Sequence, residues 1–174
     1  RGGGRAPPMS GGVVVTDELR DELLDLASQL ARAAGHLAAE GRRRGTPTGD
    51  TKSTATDMVT EWDRASERVI VDGLRAERPD DGLIGEEGST AQGTSGIGWL
   101  IDPIDGTTNF LYDLPGWAVS IAAVDGDGAL VGVVYVPSHD EMFTAARGRG
   151  AACNGRPIRC GTLADPATAL VATG

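Results

Sequence analysis

The stretch that decides the fold is WAVSIAAVDGDGALVGVVYV, residues 117–136. Two runs rich in β-branched residues, Trp117 to Val124 and Leu130 to Val136, flank Asp125-Gly126-Asp127-Gly128, a string of turn formers. That spacing predicts a β-hairpin. Downstream, Met142 to Ala145 and the stretch from Ala151 to Arg159, broken at Asn154-Gly155, predict further edge-like strands. Upstream, shorter strand-like runs stand at Leu83-Ile84 and Trp99-Leu100-Ile101.

Helical periodicity precedes the strands. Leu19, Leu23, Leu24, Ala27, Leu30, Ala31, Ala34, Leu37 and Ala38 recur at three- and four-residue steps, predicting a helix from about Thr16 to residue 40. Asp17 and Glu18 lie at its positive end; Arg42, Arg43 and Arg44 follow its negative end and read as a helix terminus. A second helix is predicted over 61–77, with Ala65, Val69, Ile70 and Leu74 on one face, stopping before Pro79. Helices followed by hairpin-connected strands predict an α+β fold, helices packed on a largely antiparallel sheet. Residues 1–12, rich in Gly and Pro, read as a disordered leader, and RGGGR there as a solvated tail.

Composition narrows the function. The 174 residues carry 16 Lys+Arg against 25 Asp+Glu, a formal charge of −9, which argues against a nucleic-acid duplex or an anionic membrane as partner. No apolar run approaches the ~20 residues needed to span a bilayer. Only Cys153 and Cys160 are present, without a Cys-x-x-Cys pair, so a cytoplasmic setting is expected and a structural zinc site is not.

The chemistry lies in carboxylates at strand ends. Glu86 and Glu87 follow Leu83-Ile84 in Gly85-Glu86-Glu87-Gly88; Asp102 follows Trp99-Leu100-Ile101, and Asp105 comes three residues later. Pro103 holds Asp102 in extended backbone, so both aspartates can turn toward one point. Each acid alone also reads as a turn cap. Together they are an oxygen-only set without His or Cys, which favours a hard cation, Mg²⁺ before Zn²⁺. Two carboxylates ~5 Å apart at an effective dielectric of 20 repel by about 3 kcal/mol, so such a set needs a cation. Gly106-Thr107-Thr108 lets backbone N–H groups cradle an anion. A metal cluster beside an anion cradle describes a phosphate site, and two metals ~3.5–4 Å apart suit monoester hydrolysis.

The string Trp99-Leu100-Ile101-Asp102-Pro103-Ile104-Asp105-Gly106-Thr107-Thr108-Asn109-Phe110, preceded by Gly85-Glu86-Glu87, closely resembles the inositol monophosphatase family of Mg²⁺-dependent, lithium-sensitive sugar phosphatases. Lys52, Asp57-Met58-Val59-Thr60 and Asp63 resemble the family's upstream element; Gly148-Arg149-Gly150-Ala151 with Asn154-Gly155 resembles a downstream one. The resemblance implies metal ligation of two or three Mg²⁺ ions by Glu86, Asp102, Asp105 and the carbonyl of Ile104. It implies that Asp63 serves a further metal or its water, that Thr107 with Glu86 orients and deprotonates the attacking water, and that Gly106 and Thr107 N–H groups hold the phosphate. Asp105 would also face a substrate hydroxyl, and attack would be direct, with no phospho-enzyme. Residues 13–174 would then be the metal-bearing first half of the layered fold, without the second half and its Trp-Asp-x-Ala-Ala-Gly ligand element. Trp62-Asp63-Arg64-Ala65 imitates that element but belongs upstream.

The implied substrate is a small phosphorylated polyol, inositol monophosphate first, with histidinol phosphate, fructose 1,6-bisphosphate and phosphoadenosine phosphate as alternatives, and a homodimer for the full-length protein. The rival from another class is an inactive half-domain that binds only metal or a partner, with an exposed apolar edge. Other signals fall away. Ser138-His139-Asp140 are sequence neighbours and cannot converge as a triad; Asp125 to Gly128 lacks the later ligands of a calcium loop; Gly148-x-Gly150 lacks a third Gly. His36 reads as a surface or satisfied side chain, Trp99 and Trp117 as core, and Trp62 stays open.

Overall fold

The computed structural model describes residues 13–45, 49–51, 58–162 and 165–168; the expected leader 1–12, Lys52 and Asp57 lie outside them. Helix α1 (Asp17–Arg44) begins where Thr16 accepts the Leu19 N–H at 3.2 Å. It buries Leu23, Ala27, Ala31, Ala34, Gly35, Ala38 and Gly41 along one stripe. The helix runs four residues past the expected end. Gly41 does not stop it because the missing side chain is where Trp62 packs: a Cβ there would stand 2.4 Å from the indole.

A two-stranded antiparallel ribbon, β1 (Gly49–Thr51) and β2 (Met58–Thr60), was not anticipated. It leads into α2 (Glu61–Glu77), opened by a capping box in which Thr60 and Asp63 satisfy each other's backbone. The buried face of α2 differs from the expected one. Ile70 and Leu74 are buried as predicted, but Ala65 and Val69 are only half-buried, and Asp63, Ser66 and Glu67 take core-facing positions instead.

Eight strands follow in one sheet: β3 (Gly82–Gly85), β4 (Thr90–Ala91), β5 (Gly98–Asp105), β6 (Ala118–Asp125), β7 (Gly128–Val136), β8 (Glu141–Ala146), β9 (Gly150–Cys153) and β10 (Arg156–Ile158). A five-residue helix, α3 (Thr107–Leu111), follows β5. The strand order is β10-β9-β8-β7-β6-β5-β3-β4, antiparallel at every step but one. The exception is β3–β5, paired parallel with Leu83 opposite Trp99 and Gly85 opposite Ile101. The predicted hairpin is β6–β7, its turn tightened to Gly126-Asp127, and Asn154-Gly155 turns β9 into β10. The fold is thus helices on a largely antiparallel mixed sheet.

Helices α1 and α2 cover one sheet face, where Trp99, Ile101, Val119, Ile121, Val133 and Tyr135 meet the helix stripe. A second cluster joins Ala38, Ile104, Phe110 and Trp117, with Trp62 packed against it. On the opposite face, Leu100 and Val134 remain exposed. Among the described residues no helix is long and apolar enough to cross a membrane.

The hairpin end is held by charge. Asp125 is buried, and Arg147 places Nη2 and Nη1 at 2.8 and 3.1 Å from its oxygens. The guanidinium holds the Asp125 carboxyl below the usual carboxylate range, against an opposing effect of burial. A depressed folded pKa contributes stability above the unfolded value of ~3.9 and loses it as pH falls through the folded value. Asp125→Asn is therefore expected to cost about 1–3 kcal/mol at pH 7, and its deficit against the wild type should vanish in strong acid; urea melts across pH check this.

Candidate active site

The parallel pairing of β3 with β5 builds the site. Both strands point their carboxyl ends the same way, and Gly85 stands opposite Ile101, so the next residues, Glu86 and Asp102, fall side by side. The Glu86 N–H donates to the Ile101 carbonyl at 3.0 Å, continuing the ladder one step past the strand. Asp102 and Asp105, three apart, would lie on opposite faces of a regular strand. Between them, however, the register against β6 slips: Asp102 opposes Ser120 and Asp105 opposes Ala118, so three steps on β5 match two on β6. This one-residue bulge, at a proline that has no N–H for the ladder, returns Asp105 to the face that carries Asp102. Ile104 turns inward and is buried, while Asp105 is exposed.

Asp102 is in an unfavourable state for an anion. Its Oδ1 is buried without a hydrogen-bond partner. Burial raises its pKa well above the carboxylate range, reinforced by the hydrogen bond and charge of Glu86 and by the charge of Asp105; only the Ile104 backbone opposes this. An orphaned carboxylate oxygen facing two further carboxylates fits a hard dication. As placed, no three acidic, His or Cys side chains among the described residues stand at the spacing of a closed metal site.

Gly106 links the carboxylates to α3. Its φ of 88° is left-handed, and a Cβ there would meet the Gly116 carbonyl at 2.8 Å, so glycine is required twice over. The Thr107 hydroxyl lies 3.2 Å from Asp63 Oδ1 and 3.1 Å from the Ile104 carbonyl, close enough to donate to either. Asp63 is 1% exposed; burial raises its pKa, offset by hydrogen bonds from the Thr60 hydroxyl and N–H and from Thr107. Asp63 on α2, Thr107 on α3 and Ile104 on β5 therefore meet, and Asp102 stands within electrostatic reach of Glu86 and Asp105.

Sequence reasoning missed two contributors. Arg42 is more than a helix terminus: its Nε and Nη2 donate to the carbonyls of Phe110 and Leu111 at 3.0 and 3.2 Å, capping the end of α3. Glu67, which lies outside the expected apolar face of α2, is buried and accepts the N–H groups of Glu87 and Ser89. Its spacing, four after Asp63 and three before Ile70, was the available signal. A larger cavity, about 630 Å³, lies between α1 and α2 around Leu26, Leu30 and Gly73 and contains none of the candidate residues.

The model of the inositol monophosphatase family matches residues 19–173. The chain belongs to this family. The protein named Nus factor SuhB from Pasteurella multocida (strain Pm70) is 41% identical over 153 residues, which cover 87% of this chain and 57% of that one. Among solved structures, the extragenic suppressor protein suhB from Bartonella henselae superposes with a TM-score of 0.78 at 35% identity, covering 82% of this chain and 55% of that one. A Thermotoga maritima IMPase gives 0.75 at 38%, covering 81% and 54%. An IMPase/NADP phosphatase complexed with NADP and Ca²⁺ gives 0.71 at 26%, covering 82% and 55%. The chain thus spans somewhat more than half the length of the relatives it matches.

The electrostatics of the site yield a direct expectation. In metal-free protein near pH 7, Asp102→Asn replaces a carboxyl that burial and its acidic neighbours force to hold a proton, so it should stabilise the chain by about 1–3 kcal/mol. Denaturant melts in the presence of a chelator check this.

Proposed function

We propose that this chain carries the metal- and phosphate-binding half of a Mg²⁺-dependent phosphate monoesterase, with inositol monophosphate as the first substrate. The observation that supports it most is the buried, partnerless Asp102 Oδ1 facing Glu86 and Asp105, one loop from Gly106 and Thr107. Family membership supports phosphatase chemistry, and the Ca²⁺ complex of the IMPase/NADP phosphatase supports a divalent cation.

Glu86, Asp102, Asp105 and the Ile104 carbonyl would hold two or three Mg²⁺ ions, with Asp63 serving a further ion or its water. Bound Mg²⁺ supplies positive charge against the carboxylates and the ester, and Lewis acidity toward water. Thr107, with Glu86, orients the attacking water and takes its proton. Asp63, whose pKa is raised by burial, stands behind Thr107 to receive a proton from the hydroxyl. The N–H groups of Gly106 and Thr107 hold the phosphate, and exposed Asp105 accepts from a substrate hydroxyl. Water attacks phosphorus in line as the ester oxygen leaves, with no covalent enzyme intermediate. On this reading the protein works as a cytoplasmic homodimer and is lithium-sensitive, as the family resemblance implies.

Phosphate release from inositol monophosphate, histidinol phosphate, fructose 1,6-bisphosphate and phosphoadenosine phosphate, measured on the protein extended to the length of its relatives, tests the reading. Inositol monophosphate should be the fastest. Chelation of Mg²⁺ or Asp102→Asn should abolish turnover, and Thr107→Ala should lower it ~10²–10⁴-fold. Preference for another ester overturns the substrate, and full activity in Asp102→Asn overturns the metal assignment.

A second reading is favoured by the relatives named Nus factor SuhB: a transcription-related role exercised through a protein partner. It predicts that Asp102→Asn leaves partner binding intact while phosphate release is lost.

A further inference from the structure

We infer that Glu67 is a positioning residue: its carboxylate holds the loop after β3 so that Glu86 stands beside Asp102. The inference rests on the metal-phosphatase reading for its consequence, and on the geometry of the loop for its substance.

Glu67 sits on α2 one turn beyond Asp63, 3% exposed. Its oxygens are divided between two backbone donors of the loop: Oε2 accepts the Glu87 N–H at 2.7 Å and Oε1 the Ser89 N–H at 3.1 Å. The loop closes on itself through Gly85 N–H to the Ser89 carbonyl at 2.7 Å. Glu86 is therefore held at its own N–H by β5 and at the following N–H by α2. The approach is so close that a Cβ on Gly85 would stand 2.3 Å from Glu67 Oε2, which accounts for the glycine that opens Gly85-Glu86-Glu87-Gly88.

The choice of residue points to this task. The neighbouring buried positions Ile70, Val71 and Leu74 are apolar, as packing alone would require. A buried carboxylate is costly unless its oxygens are satisfied, and here it adds negative charge behind three further carboxylates. The two charge-assisted bonds to the loop offset that cost. One helix thereby braces the segments that follow both strands, Asp63 engaging Thr107 after β5 and Glu67 engaging Glu87 and Ser89 after β3.

Glu67→Gln tests this in the 174-residue chain, since the amide keeps the volume but turns a donor toward one loop N–H. Amide hydrogen exchange in the metal-free chain is the first readout. Exchange at Glu87 and Ser89 should accelerate at least ~10-fold while the amides of β6 and β7 keep their protection. The second is a Mn²⁺ titration followed by electron paramagnetic resonance, in which Glu67→Gln should weaken affinity ~10–100-fold. Unchanged protection at Glu87 and Ser89 overturns the inference, as does unchanged Mn²⁺ affinity. A wild-type chain that takes up no Mn²⁺ sinks the metal reading instead, and exchange at the two amides then decides the loop-holding role alone. Should Glu67→Gln fail to fold, Glu67→Asp, which keeps the charge but shortens the reach, is read by the same two measurements.

Discussion

Like charges that must be neighbours govern this molecule. Glu86, Asp102 and Asp105 would separate if their backbones were free, and three backbone devices prevent it. The parallel register of β3 and β5 sets Glu86 against Asp102. The bulge at Pro103 and Ile104 brings Asp105 around to the same side. The left-handed Gly106 then turns the chain sharply into α3. Each device is backbone geometry, which a rigid sheet and a packed helix layer can enforce against electrostatic repulsion.

The helices do more than cover the sheet. Polar groups occupy core-facing places on α2 where an ordinary amphipathic helix would be apolar, and the basic end of α1 reaches across to α3 through Arg42. Gly41 and Gly85 serve the same arrangement from the other side, by leaving out side chains where Trp62 and Glu67 must approach. Glycines and buried acids, each unfavourable by local rules, are mutually compensating here.

Much of this was legible in the sequence, for definite reasons. Helix α1 and the β6–β7 hairpin are long and periodic, and a hairpin's partner strand is its neighbour in sequence. The strands around Asn154-Gly155 were marked by a turn that needs left-handed residues. The two-residue strand β4 and the β1–β2 ribbon are too short to show alternation. The parallel pairing of β3 with β5 joins segments whose sequences do not encode direction. The strand-end carboxylates stood out because acids beside Gly and Pro have no packing role. Glu67 and Asp63 did not read as buried, because a charged side chain on a helix is assigned to solvent unless its spacing is weighed against its chemistry.

The pairing of β3 with β5 also bears on the order in which the molecule assembles. The β6–β7 hairpin closes through two residues, whereas β3 and β5 must meet across the segment that contains β4 and its flanking loops. Local hairpins pay little loop-closure entropy, and parallel pairs close late. The sheet can therefore grow outward from its neutral, apolar centre, and the acidic edge is drawn together only when enough structure exists to hold it.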